Sequence, residues 1–249
     1  MTALVRDLRL RRGRERRGLT LAEGVRLVEE AFAAGITVRH LLVSPELETT
    51  PRGERLQATI AQRKLAAERV DPKTFRALAA TEHPQGVLAV VEPPRWSPDR
   101  IRVAPGKPVL VLDAVQDPGN VGTLIRTAWG LGGSGVVALP GTAEFLNPKV
   151  LRASMGGFFR LPAVAMSETE FRAWAEREGL RVMLAEAGAP LPRRDGRPAA
   201  LVVGNEGAGV RPELAGWIPE SVGVPLRPGA ESLNVAIAAG ILLHEVVRE

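Results

Sequence analysis

Three polar stretches of the carboxy-terminal half carry the side chains with chemistry to offer. In residues 113–128 an apolar run, a tight turn and a helical pattern follow one another in the order that a ligand-holding loop requires. Asn120 stands where a helix N-cap belongs, and that structural role competes with a place in a site. Val121, Leu124, Ile125 and Ala128 form the apolar face, which leaves Arg126 on the side of Gly122, where a missing side chain permits close approach. A guanidinium is the usual partner of a phosphate; the alternative is a surface arginine or an ion pair. In residues 201–209 an apolar run breaks into Gly204-Asn205-Glu206-Gly207-Ala208-Gly209. Its glycines expose backbone amides, and Glu206 either faces a ligand or accepts hydrogen bonds from the loop. Ser232 and Asn234 then precede an apolar helical run, where they can cap the helix or reach into the same cleft.

Two further stretches say less. Residues 149–162 set small residues between Lys149, Arg152 and Arg160 and close on Pro162, which suits a helix against a sheet with Phe158 and Phe159 in the core. Residues 130–135 match the glycine fingerprint of dinucleotide sites letter by letter. There, however, the glycines end a helix and precede a strand, the reverse of the order that the fingerprint needs, so a helix stop is the better reading.

The elements that must position these residues form two α/β runs. In the first, Leu21, Val25, Val28 and Phe32 predict a helix whose start is open: Thr20 with Glu23 forms a capping box, or residues 19–21 form a short strand closed by Gly24. Strands over 38–43, 67–70 and 86–91 and helices over 53–63 and 72–79 complete it. A proline-rich stretch follows and reads as a linker. In the second run, strands are predicted at 109–113, 135–139, 180–185 and 201–203, and helices at 120–131, around Phe171 and Trp174, and from Ala236. An exposed turn covers 193–198. The expected domains are 1–92, a linker over 93–108, and 109–249.

Composition narrows the function classes. The 249 residues include no cysteine and three histidines, so thiolate chemistry is excluded and no metal site is expected. No apolar run approaches the roughly 20 residues that span a bilayer, and the first residues lack a signal-peptide core; a cytoplasmic protein with no membrane partner is expected. Residues 1–108 carry 20 Lys+Arg against 13 Asp+Glu, whereas 109–249 carry 13 against 15. Much of that excess is an arm bearing Arg6, Arg9, Arg11, Arg12, Arg14, Arg16 and Arg17. It suits phosphate backbones, or is simply a solvated arm.

Taken together, residues 113–128, 149–162 and 201–243 resemble the three sequence motifs of the SpoU (TrmH-like) RNA 2′-O-methyltransferases of the SPOUT superfamily. Residues 21–31 and 81–90 are similar to the L30e-like substrate-binding domain that precedes the catalytic domain in many members. The resemblance implies an α/β-knot domain with a deep trefoil knot. It implies S-adenosyl-L-methionine held by backbone groups at Gly204, Val224 and Leu233, and a homodimer whose subunits both line each site. Arg126 matches the catalytic arginine, and Asn120, Glu206, Ser232 and Asn234 match other motif residues. Where many members carry a glutamate in the second motif, this chain has Phe159 and Arg160. The implied activity is methyl transfer to a ribose 2′-hydroxyl, with ribosomal RNA favoured over transfer RNA, and Arg9, Arg11, Arg12, Arg14, Arg16 and Arg17 contacting the RNA. The competing expectation is a non-catalytic RNA-binding or ribosome-assembly protein.

Overall fold

The computed structural model describes residues 1–193 and 195–247; Arg194, in the expected turn, and Arg248 and Glu249, at the end of the last stretch, lie outside the described residues. Two compact units form, one from Met1–Arg95 with Leu146–Phe159, the other from Trp96–Phe145 with Arg160–Glu249.

The first unit runs α1 (Thr2–Leu8), α2 (Arg11–Arg17), β1 (Thr20–Glu23), α3 (Val25–Ala33), β2 (Val38–Val43), α4 (Pro51–Gln62), β3 (Ala67–Arg69), α5 (Pro72–Leu78) and β4 (Val87–Val91). Its sheet has the order β1-β4-β2-β3, antiparallel except for β2 with β3. The open question at Thr20 resolves as strand first, helix second. Gly24 makes the corner at φ +99°, a backbone region that L side chains rarely adopt, so a residue with a Cβ would be strained there. The arginine-rich start is no loose arm. Val5 and Leu8 are fully buried with Leu42, Phe75 and Leu88, and α2 ends at Gly18 in the left-handed conformation.

The second unit continues with β5 (Val109–Leu112), α6 (Pro118–Gly130) and β6 (Gly135–Ala138). After α7 (Pro148–Ala153), which packs with the first unit, come β7 (Ala163–Ala165), α8 (Glu168–Arg177), β8 (Arg181–Ala185), β9 (Ala199–Val203), α9 (Pro212–Ala215), β10 (Glu220–Val222) and α10 (Val235–Val247). All six strands are parallel, in the order β10-β8-β9-β5-β6-β7. A parallel sheet covered on both faces needs apolar side chains on both, which is why β5 and β9 read as continuous Val/Leu/Ala runs. Val109, Val111, Val137 and Val202 pack against Phe171 and Trp174 of α8, while α6 and α10 lie together against the opposite face. The proline-rich stretch is ordered on this unit, with Ile101 buried among the same core residues. The glycines after α6 stop the helix, as Gly133 N–H donates to Ala128 O and Gly132 takes φ +80°.

Within the sheet the chain steps outward from β5 through β6 to β7, then crosses to β8 and returns to place β9 between β8 and β5. That reversal leaves a crevice at the carboxyl ends of the strands, where open parallel sheets hold ligands.

Candidate cofactor and catalytic site

At the carboxyl end of β9 the chain folds back on itself at once. Asn205 N–H donates to Gly209 O at 2.9 Å and Gly209 N–H returns a bond to Asn205 O at 3.0 Å. A Cβ on Gly204 would stand 2.1 Å from the Gly209 carbonyl carbon, so only glycine allows this crossing. The Asn205 amide oxygen accepts from the Gly207 and Ala208 amides, both at 3.0 Å, and its amide nitrogen donates to Ala114 O. The far end of the loop is held by Asp113, a fully buried carboxylate that accepts from the Arg211 backbone amide and Nε, each at 2.8 Å. A buried charge has to be paired and hydrogen-bonded, and these contacts do that.

The same loop reaches α6 and α10. Glu206 accepts from the amides of Gln116 and Asp117, at 3.3 and 3.2 Å, and from Asn120 Nδ2 at 3.0 Å. Asn120 Oδ1 accepts in turn from Asn234 Nδ2 at 3.1 Å, and Asn234 Oδ1 accepts from the Ala236 and Ile237 amides at the start of α10. Burial acts to raise the Glu206 pKa, but the Asn120 donor and the backbone amides outweigh it and hold the carboxyl below the usual glutamate range. Glu206 is therefore an anchored anion at neutral pH. The expected capping role of Asn120 needs correction: Asp117 is the N-cap of α6 and accepts from Asn120 N–H at 2.9 Å, with Pro118 at the first helical position. That frees the Asn120 side chain for the chain of contacts just described.

A cavity of about 500 Å³ opens beside the loop, and Gly204, Glu206, Val224, Ser232, Leu233 and Asn234 all line it. Gly223, at the end of β10, lies so near Glu186 O that a Cβ would stand 2.3 Å away. Both glycines thus let main chain pass close to main chain beside the cavity. Arg126 is not among its lining residues. It is exposed in the middle of α6, with no hydrogen bond or ion pair among the described residues.

Residues 107–244 match the SpoU rRNA Methylase family. The chain belongs to the SpoU family. Residues 4–89 match the MRM3-like substrate binding domain. A relative from Bacillus subtilis, the 23S rRNA (guanosine(2553)-2′-O)-methyltransferase RlmP, is 37% identical over 97% of this chain and 93% of its own. The 23S rRNA (uridine(2479)-2′-O)-methyltransferase of Streptomyces viridochromogenes is 32% identical, with 96% and 86% covered. The crystal structure of the SpoU methyltransferase AviRb from that species, in complex with AdoMet, superposes with a TM-score of 0.84 at 30% identity over 98% of this chain and 95% of that one. The α/β-knot fold class inferred from the resemblance, behind a substrate-binding α/β domain, stands with the family. So does S-adenosylmethionine as its methyl donor. The cavity fits that donor in having the size of a small-molecule site.

Of the arginines expected to meet RNA, Arg14 is withdrawn. It is 3% exposed, and its guanidinium donates to Leu8 O and Arg9 O, closing the carboxyl end of α1. Arg9 donates to Ala79 O, Arg11 pairs with Glu15, and Arg16 and Arg17 share Asp7. Arg12 is exposed with no such partner among the described residues. Asn205, Asp113, Arg211 and Asp117 were not singled out as site residues. The available signal was their types: an Asn ahead of two glycines, and an Asp directly before proline. The Asp113–Arg211 pairing, by contrast, left no local signature.

Proposed function

We propose that this SpoU-family chain methylates a ribose 2′-hydroxyl of ribosomal RNA, using S-adenosylmethionine. The observation that carries the reading is the linked set Glu206, Asn120 and Asn234, which ties one wall of the cavity to the start of the helix bearing Arg126. The donor supplies an electrophilic methyl group on a sulfonium. In this reading Gly204, Val224 and Leu233 hold it through the main chain, and Asn120, Glu206, Ser232 and Asn234 frame the cavity and keep α6 and α10 in register. A ribose hydroxyl is a weak nucleophile at neutral pH, so the site has to orient it and help its proton leave. Guanidinium stays protonated in proteins and cannot be the base. Arg126 instead holds the phosphate next to the target ribose and stabilises the developing alkoxide, while the proton passes to a phosphate oxygen or to water.

An arginine outside the cavity of its own chain suits a site completed by a second copy. Trp129, Ile237 and Ile241 are 41%, 56% and 38% exposed on the neighbouring helices α6 and α10, an apolar face suited to a homodimer. Residues 1–92 would recognise the RNA and residues 109–249 perform the transfer, with 93–108 joining them. Ribosomal RNA is favoured because two relatives that match nearly the whole chain, from Bacillus subtilis and Streptomyces viridochromogenes, are named for 23S rRNA. Work on ribosomal RNA would place the chain in the cytoplasm; separately, no helix among the described residues is long and apolar enough to cross a membrane. The test is Arg126→Ala with labelled S-adenosylmethionine and 23S rRNA, the product being identified by its alkali-resistant linkage. Turnover should fall about 10²–10³-fold with donor affinity unchanged; turnover like that of the unaltered chain would sink the role. Sedimentation of the same preparations should show dimers, and a monomer that methylates would overturn the shared site.

A further inference from the structure

The first unit holds a second cavity, about 270 Å³, between the end of β1, the first turn of α3, the loop before β4 and the segment after α7. Its polar lining is Glu23, Arg26, Thr81, His83, Gln85 and Arg152. The acceptors in that set are already committed. Glu23, 4% exposed, accepts from the Ala80 amide at 2.7 Å and from the Thr81 amide and hydroxyl at 3.2 and 2.5 Å. The Gln85 side-chain oxygen accepts from the Val25 amide at 2.9 Å. Apart from the Thr81 hydroxyl, the donors make no hydrogen bond among the described residues. Arg152 Nη1 is buried with no hydrogen-bond partner, its nearest carboxylate oxygen, on Glu23, being 4.0 Å away. Among the described residues, Arg26 and His83 are exposed on the rim without a hydrogen bond or ion pair, and the Gln85 amide nitrogen has no acceptor. A cavity that has spent its acceptors and kept two guanidinium groups, an imidazole and an amide donor asks for a ligand made of acceptors. A buried guanidinium nitrogen whose carboxylate neighbour lies beyond hydrogen-bond reach asks in addition for a charged one.

We propose that this cavity binds a phosphate group, presented by the backbone of an RNA strand. The RNA source rests on the function proposed above; the phosphate chemistry does not. The bond set is Arg152 from the inner wall, Arg26 and His83 from the rim, and the Gln85 amide. Glu23 orders the loop at Thr81 and, with its lone pairs engaged by three donors, leaves the ligand facing cations.

The test uses the full chain. Only three histidines occur, so the His83 ring signals can be assigned in the magnetic resonance spectrum with a His83→Gln sample and followed during additions. Inorganic phosphate and a short single-stranded RNA of mixed sequence are added separately. Both should move the His83 signals, and Arg152→Met should remove the response. Because Arg152 also neighbours Glu23, Arg26→Met on the rim is the control for folding. It should weaken RNA binding about tenfold at low salt and lower the slope of log affinity against log salt by about 0.7, one single-strand phosphate contact. A response to phosphate but not to RNA would keep the anion site and overturn its RNA source. Unmoved His83 signals with both additions, or an unchanged salt slope in both variants, would overturn the proposal. Donor affinity is measured alongside; its loss in the unaltered chain would count against the methyltransferase reading and not against this cavity.

Discussion

The two cavities use their polar groups in opposite ways. In the second unit Glu206, Asn120 and Asn234 spend their hydrogen bonds on one another and on backbone amides, beside a cavity where glycine lets main chain pass close to main chain. In the first unit the carboxylate is satisfied, Arg152 Nη1 stands 4.0 Å from it without a hydrogen bond, and Arg26 and His83 make no hydrogen bond or ion pair among the described residues. A site of the first kind recognises shape and fixed amide positions, and salt should hardly touch it. A site of the second kind recognises charge, and its affinity should fall steeply as ions compete. The difference suits a chain that has to hold a compact donor molecule and also meet a long polyanion.

The strongest way to break the comparison is at Gly204. A valine side chain there meets the Gly209 and Val210 backbones at 2.1–2.4 Å already at its Cβ, and backbone cannot give way as a flexible side chain can. Gly204→Val should abolish donor binding in calorimetry, a loss of about 100-fold or more if overpacking costs about 3 kcal/mol. RNA affinity should stay as it was. If donor binding survives, the cavity is not formed by this close crossing.

A middle-sized effect should come from pH. Glu206 has a depressed pKa in the folded chain, so the stability its contacts provide is fully present above the ordinary glutamate value of about 4.3 and is lost as pH falls through the lower, folded value. Donor affinity should therefore hold through mildly acidic pH. In Asn120→Ala the leading side-chain donor to Glu206 is gone and burial acts with less opposition, so the acid midpoint should move up. Donor affinity measured from pH 3 to pH 7 in both chains checks this. A midpoint that stays in place would mean that the backbone amides alone fix Glu206.

Much of this was legible from residue types. Strands buried on both faces have to be apolar throughout, and residues 109–113 and 201–203 stood out for that reason, the second strand starting two residues earlier, at Ala199. The motif residues Glu206, Asn120 and Asn234 were visible singly as capping and loop types, but not their linkage, because hydrogen bonds between positions 86 and 114 residues apart leave no periodic trace. The cap of α6 was readable and was placed three residues late: Pro118 belongs at the first helical position, which puts the cap at Asp117. The second motif concealed most. Pro148–Ala153 packs on β1, Thr20 Oγ1 donates to Leu146 O at 2.8 Å, and a Cβ on Gly156 would meet the Glu30 side chain at 2.5 Å; all of these are long-range packing facts. The helices in the arginine-rich start were hidden because two buried positions, Val5 and Leu8, are too few to show a period.

That start gives the smallest predicted effect and the sharpest contrast between a cation that is free and one that is spent. Removing residues 1–17 would confuse the two, because Val5 and Leu8 belong to the core. Single substitutions separate them. Arg12→Ala removes an exposed charge that makes no hydrogen bond or ion pair among the described residues, and should lower RNA affinity about two- to fivefold at low salt, with no change in melting temperature. Arg14→Ala uncovers the Leu8 and Arg9 carbonyls, of which the first is deeply shielded, and should cost about 1–3 kcal/mol of stability while leaving the RNA salt slope as it is. Thermal unfolding and binding at two salt concentrations, run on both variants, decide it. Equal RNA effects from the two would mean that the arginines of this segment act through the fold and not through contact.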